Sequence, residues 1–139
     1  MIALDTNIII HLLVKTQKEH VRVKRWFESK SEPLATTPTN IGEVLRLLTH
    51  PRVFPKPVSL NDAVDCLDTF LEDHQIRVLE EEDRWWSHLS ELAKKNQTLK
   101  GNEIFDARVA LCLRYHGIKE ICTFDADFSK YPFLTIVVP

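Results

Sequence analysis

Short apolar runs alternate with longer stretches of helical periodicity from one end of the chain to the other. Met1–Leu4 is an apolar run that stops at Asp5-Thr6-Asn7, which predicts a strand followed by a turn or a helix cap. Asn7–Leu13 reads as a short helix. A longer one is expected from about Glu19 to Lys30, with Val21, Val23, Trp26 and Phe27 facing inward. Pro33–Thr36 resembles a second short strand. Thr37 then offers an N-cap and Pro38 a first helical residue. The helix so started runs to about Thr49, where His50-Pro51 stops it. Ile41, Val44, Leu45 and Leu48 keep helical spacing along it, with Glu43 beside their stripe.

Three prolines between Pro51 and Pro57 predict an extended connection. Ser59 caps a helix to about His74 that buries Ala63, Val64, Leu67, Phe70 and Leu71. Gln75–Leu79 follows as a short strand, Asp83–Lys95 as a helix and Asn96–Gly101 as a polar loop. A last helix spans about Glu103 to His116 and ends at Gly117 as its C-cap. Glu120–Thr123 and Leu134–Val138 are the closing strands, separated by an acidic turn and Tyr131-Pro132. No repeat, low-complexity tract or boundary interrupts this order. It predicts one α/β domain over residues 1–139, a three-layer α/β/α sandwich around a mostly parallel sheet of about five short strands.

Composition narrows the function. The chain has 139 residues, 44% hydrophobic and 27% charged, which suits a globular domain with a core of its own. Its longest apolar run, Ile8–Val14, is broken by His11 and is too short to span a bilayer. The N-terminus lacks a basic stretch and meets Asp5 at once, so no signal peptide is expected and cytoplasm is the default. Three unclustered cysteines and six histidines without HxxxH or HExxH spacing disfavour a zinc site. Cys112 and Cys122 fit small core positions in a reducing compartment. A formal net charge of −2 gives no global attraction to polyanions, so a nucleic-acid partner would need a local basic patch or a metal.

The candidate chemistry lies in four acidic motifs: Leu4-Asp5-Thr6-Asn7, Gly42-Glu43-Val44, Phe105-Asp106-Ala107 and Thr123-Phe124-Asp125-Ala126-Asp127. Each carboxylate interrupts or borders an apolar stretch. Buried carboxylates are costly unless compensated, and a divalent metal is one way to keep several of them ionised together. Each also has a local explanation: Asp5 as a helix cap, Asp106 as a first-turn dipole partner, Asp125 and Asp127 as turn residues, Glu43 as a solvated helix charge. In open α/β sheets, however, sites form at the carboxyl ends of strands. Asp5 and Asp125 follow two predicted strands, and Glu43 and Asp106 lie early in two predicted helices.

The set resembles the PIN domain, in particular the small ribonuclease toxins of VapC type. Met1–Asn7, Gly42–Leu47, Gly101–Ala107 and Thr123–Phe128 are similar to the family's four acidic segments, Phe133–Pro139 to its last strand, and His50–Pro57 to a connection of one subgroup. The resemblance implies a metal-dependent endoribonuclease, the toxin of a toxin–antitoxin pair, that hydrolyses RNA phosphodiester bonds. Its cofactor would be Mg²⁺ or Mn²⁺, hard ions that suit carboxylate oxygens. Asp5 and Asp106 would be the core metal ligands, Glu43 and Asp125 would complete the catalytic site, and Asp127 would serve as an alternative ligand. Asn7 and Thr123 would orient carboxylates by hydrogen bonding. The implied partners are a VapB-type antitoxin, whose C-terminal segment would occupy the acidic groove, and a second copy in a homodimer.

Arg46, Arg52, Lys56 and Arg108 stand nearest the acids in sequence; they are candidates for RNA phosphates or simply solvated charge. The histidines, on helices or at their ends, are expected to be surface or cap residues. Trp85-Trp86 could stack on bases or face a core or partner surface. The principal rival is a PIN-fold interaction module without catalysis, which predicts no effect of divalent ions on stability. A phosphoacceptor receiver domain shares the length and pattern but needs an early Asp pair and a late strand-end Lys, neither suitably placed here.

Overall fold

The computed structural model describes residues 1–139. Strands β1 (Ile2–Leu4), β2 (Leu34–Thr36), β3 (Arg77–Val78), β4 (Glu120–Cys122) and β5 (Thr135–Val137) form one sheet in the order β3-β2-β1-β4-β5. Every adjacent pair is parallel. Helices α1 (Thr6–Leu13), α2 (His20–Glu28), α3 (Pro38–Thr49), α4 (Leu60–Asp73), α5 (Leu89–Lys95) and α6 (Glu103–Tyr115) supply the crossovers.

The period of two along each strand assigns the layers. Ile2 and Leu4 of β1, Leu34 of β2 and Cys122 of β4 point into a core shared with Ile8 and Ile9 of α1, Val23 of α2, Val44 of α3 and Leu67 of α4. Their alternates Ala3, Ala35 and Ile121 point the other way, onto Leu92 of α5, Ala110 and Leu113 of α6, and Phe128 and Tyr131. The central strands β1 and β2 are buried at every position, as parallel strands covered on both faces are, whereas the two-residue edge strand β3 is exposed.

The chain lays β2 and β3 on one side of β1, then returns to lay β4 and β5 on the other. The order therefore reverses between β1 and β4, and the carboxyl ends of these two strands flank a topological switch point, where open α/β sheets form their crevice. Asp5 directly follows β1, and its N–H donates to the Cys122 carbonyl of β4 (3.1 Å).

Several expected boundaries shift for local reasons. The first helix begins at Thr6 rather than Asn7, because Asp5 caps it. The Asp83–Lys95 helix is instead a 3₁₀ turn, Trp85–His88, leading into the two-turn α5; Arg84 enters it in the left-handed region at φ 55°, which breaks a continuous α-helix. The strand expected over Gln75–Leu79 pairs only at Arg77–Val78, since Gln75 also adopts a left-handed φ of 52°. The connection after α3 opens with a turn in which Val53 and Phe54 both donate to the His50 carbonyl. Val21, expected to face inward, is 68% exposed, because only Val23 of α2 reaches full burial. Cys112 and Cys122 are buried. No helix is long and apolar enough to cross a membrane.

Candidate active site

Asp5 is the centre of a buried polar network at the switch point. Its Oδ1 accepts from the Thr6 N–H (2.7 Å) and from Asn40 Nδ2 (3.0 Å). Its Oδ2 accepts from Asn7 Nδ2 (2.8 Å) and from Thr123 Oγ1 (2.5 Å). The capping role suggested by local sequence thus coexists with the site role, one oxygen serving the start of α1 and the other facing β4. Asn7 also donates to Thr123 Oγ1 (3.0 Å), which in turn accepts the Asp125 N–H (2.9 Å). The loops after β1 and β4 are thereby joined through two side chains.

Helix α3 completes the network. Thr37 accepts the Asn40 N–H as its N-cap, and its hydroxyl donates to Asn40 Oδ1 (2.7 Å). Asn40 Nδ2 also reaches Thr6 Oγ1 (3.0 Å), and Thr6 Oγ1 donates to Glu43 Oε2 (2.7 Å). Asn40 and Glu43, three residues apart, share one face of α3. Sequence reasoning missed Asn40 and passed over Thr6. The available signal was that i,i+3 spacing, an amide one turn before a candidate acid. Replacing Asn40 with Ala would leave Thr37, Thr6 and Asp5 short of partners at a site where Asn40 is 1% exposed. The expected destabilisation is about 2 kcal/mol, read as a lower denaturation midpoint in urea. An unchanged midpoint would remove Asn40 from the energetics of the network.

Asp106 lies in the first turn of α6 and Asp125 at the start of the 3₁₀ turn Ala126–Lys130. The structure brings Asp5, Glu43, Asp106 and Asp125 to the wall of one groove of about 420 Å³. Asp127 is not among its lining residues. Its N–H donates to Asp125 Oδ1 (2.8 Å), and its own carboxylate, largely in solvent, lies 3.9 Å from Lys130 Nζ. An adjoining cleft of about 630 Å³ shares Glu43 and Asp106 with the groove and adds Arg46 and Arg108.

The electrostatics follow from crowding like charges in a partly dry site. Burial pushes the Asp5 carboxyl up to about 6; hydrogen bonds from Thr123 and Thr6 oppose the shift, and Glu43 and Asp125 add to it. Asp106 is pushed up to about 7, first by burial and then by the charges of Asp125, Asp5, Glu43 and Asp127. No hydrogen bond offsets any of these influences on Asp106. Burial and the neighbouring acids therefore oppose the ionisation of Asp5 and Asp106, and a bound cation would favour it.

No three carboxylates, histidines or cysteines are drawn together as a ready-made ligand set. That arrangement does not suit a dehydrated ion in a protein cage. It leaves room for a hard divalent cation that binds through one or two carboxylates and keeps several waters. The donors are all hard oxygens, and their mutual repulsion is the feature such an ion relieves.

The basic candidates separate. Arg46 lines the adjoining cleft. Arg108 lines it too, but its guanidinium forms a two-pronged ion pair with Glu81 (2.5 and 2.6 Å) and lies 4.3 Å from the centre of the Trp85 ring. Trp85 is thus engaged by Arg108, while Trp86 is exposed. Arg52 and Lys56 line neither space. His11 departs from the expected surface role: it is half-buried on the groove wall, edge-on to Phe124, with Nδ1 unpartnered. Burial lowers its pKa, against the pull of Glu19.

A parallel α/β/α sandwich with an acidic groove at its switch point defines the class. The PIN domain family is matched over residues 2–134. The chain belongs to the PIN domain family. It is 25% identical over 139 residues to Ribonuclease VapC48 of Mycobacterium tuberculosis, covering 97% of this chain and 94% of that relative. Among solved structures, the fold matches M. tuberculosis VapC20, a sarcin–ricin loop cleaving toxin, with a TM-score of 0.72 at 23% identity over 93% of each chain. It also matches VapBC2 from Rickettsia felis, bound to a DNA fragment from its promoter, with a TM-score of 0.66 at 16% identity over 99% and 98% of the two chains.

Proposed function

We propose that this protein is a divalent-metal-dependent endoribonuclease and the toxin of a VapBC-type toxin–antitoxin pair. The observation that carries the reading is the convergence of Asp5, Glu43, Asp106 and Asp125 in one groove at the switch point of a PIN domain. The names of two relatives, the ribonuclease VapC48 and the sarcin–ricin loop cleaving toxin VapC20, support the same assignment.

In this reading Asp5 and Asp106 hold Mg²⁺ or Mn²⁺, with Glu43 and Asp125 completing the set directly or through water. When bound, the cation supplies Lewis acidity toward a phosphoryl oxygen and neutralises charge developing there. The chain supplies the positioning. Asn7, Thr123 and Asn40 fix both oxygens of Asp5, and Thr6 steers Glu43. These partners hold the carboxylates in one orientation before any ligand arrives, which lowers reorganisation during reaction. Arg46 stands beside the acids as a cation for RNA phosphate. Asp127, turned toward Lys130, is the acid least suited to direct ligation.

Purified protein is expected to cut RNA internally when Mg²⁺ or Mn²⁺ is present and to stop when EDTA is added. Sequencing the ends of cleaved RNA checks this and locates the cuts. RNA that remains intact in both metals would favour the non-catalytic interaction module.

A further inference from the structure

Beyond Glu43 and Asp106, which it shares with the acidic groove, the adjoining cleft is lined by residues that the metal site does not use. Asn102 immediately precedes α6 with a helical backbone (φ −64°, ψ −21°), and its side chain makes no capping hydrogen bond. It lines the cleft instead. Phe105, within the first turn of the same helix, also lines the cleft and leaves 47% of its surface in solvent.

Across from α6, helix α3 contributes three further features. Arg46 is exposed and takes part in none of the ion pairs. Thr39 is only 8% exposed, and its Oγ1 has no partner. Gly42 sits inside the helix, where glycine is weaker than alanine. A Cβ there would meet nothing within 4 Å, so no neighbour in the chain requires glycine. Gly42 lines the cleft with bare backbone.

We propose that this cleft is a subsite for an unpaired nucleotide next to the scissile phosphate, its base stacked on Phe105 and read by the Asn102 amide, its phosphate held by Arg46. The inference rests on the endoribonuclease reading and adds a source of base selectivity to it. An aromatic face stacks on any base. A free amide, which both donates and accepts, discriminates the edges of unstacked bases. Asn102 is therefore the selecting residue and Phe105 the platform. Glu43 and Asp106 line both spaces, so a strand lying across the acids continues into this cleft.

The test uses full-length protein with Mg²⁺ on a single-stranded RNA pool of randomised sequence. Cut ends are sequenced, and binding of a fluorescent RNA decamer is measured in Ca²⁺. Wild type should show a base preference at one position beside the cut. Asn102→Ala should relax that preference with binding little changed. Phe105→Ala should weaken binding by about tenfold. Gly42→Ala should melt a few degrees higher, as a better helix former, yet cut more slowly because its methyl narrows the cleft. Its higher melting temperature separates this loss from misfolding. Cleavage with the same preference and affinity in all three variants would overturn the subsite, leave the ribonuclease reading standing, and assign the cleft to a polypeptide partner. If wild type neither cuts nor binds RNA, the ribonuclease reading fails and the subsite with it.

Discussion

Asp106→Asn is expected to reduce RNA cleavage by at least about 100-fold while making the metal-free protein harder to unfold at pH 7.5. The two effects have one cause. Asp106 has its pKa raised from 3.8 to about 7 by burial and by four neighbouring acids. For an acid raised on folding, stability is fully present below the unfolded value and is lost as pH rises through the folded one. At pH 7.5 the ionised Asp106 therefore works against the fold. Asparagine removes that charge at nearly constant shape. Because Asp106 is only half-buried, solvent screening reduces the gain to about 1 kcal/mol, or roughly 3–5 °C in Tm.

Asp5→Asn should also lose activity, but with the opposite sign in stability. Its two oxygens accept four hydrogen bonds, and an amide nitrogen in place of one oxygen would face donors. Thermal melts of both variants in EDTA would read this contrast directly. An Asp106→Asn protein that melts lower than wild type would contradict the assigned repulsion. One that cuts RNA at the wild-type rate would remove Asp106 from catalysis.

The second large effect is stabilisation by the metal. Mg²⁺ or Mn²⁺ at about 100 times its Kd should stabilise the wild-type fold by about 2.7 kcal/mol, roughly 8 °C in Tm for a chain of this size. The shift must depend on pH, because the ligands bind as carboxylates. Asp5 and Asp106, pushed up to about 6 and about 7, are largely ionised at pH 8 and largely protonated at pH 5. Metal-free stability should accordingly fall as pH rises from about 4 to about 7, while the metal-induced shift grows over the upper part of that window. Differential scanning fluorimetry with and without the metal, across that range, measures both trends. A melting temperature indifferent to divalent ions at pH 8 would favour the non-catalytic module.

Much of this site could be read along the chain, because its signals are local. A strand that ends at an acid, a Thr37-Pro38 helix start and an acid in the first turn of α6 each follow from a few consecutive residues. Capping and periodicity act over one turn of helix, so the sequence carries them without reference to distant parts. Asn7 and Thr123 also sit inside acidic motifs and could be picked out with them. Asn40 offers only its spacing of one turn before Glu43, which does not tell a buried amide from a solvated one; its importance comes from Asp5, 35 residues away. The fate of Arg108 could not be picked out either: its neighbourhood in sequence offers it to RNA, but Glu81 and Trp85 engage it in the fold.

By itself, then, the sequence determined the alternation of strands and helices, the caps, and the placing of Asp5, Asp106 and Asp125 at the ends of elements. Tertiary structure alone decided that these ends meet. The order β3-β2-β1-β4-β5 sets β4 beside β1, and that pairing brings Asp125 and Thr123 to Asp5 across more than a hundred residues. Strand pairing is a contest among distant segments for hydrogen bonds and buried area, and no window of local residues encodes its winner. Asp5 and Asp106 acquire their raised pKa values only after that contest is resolved.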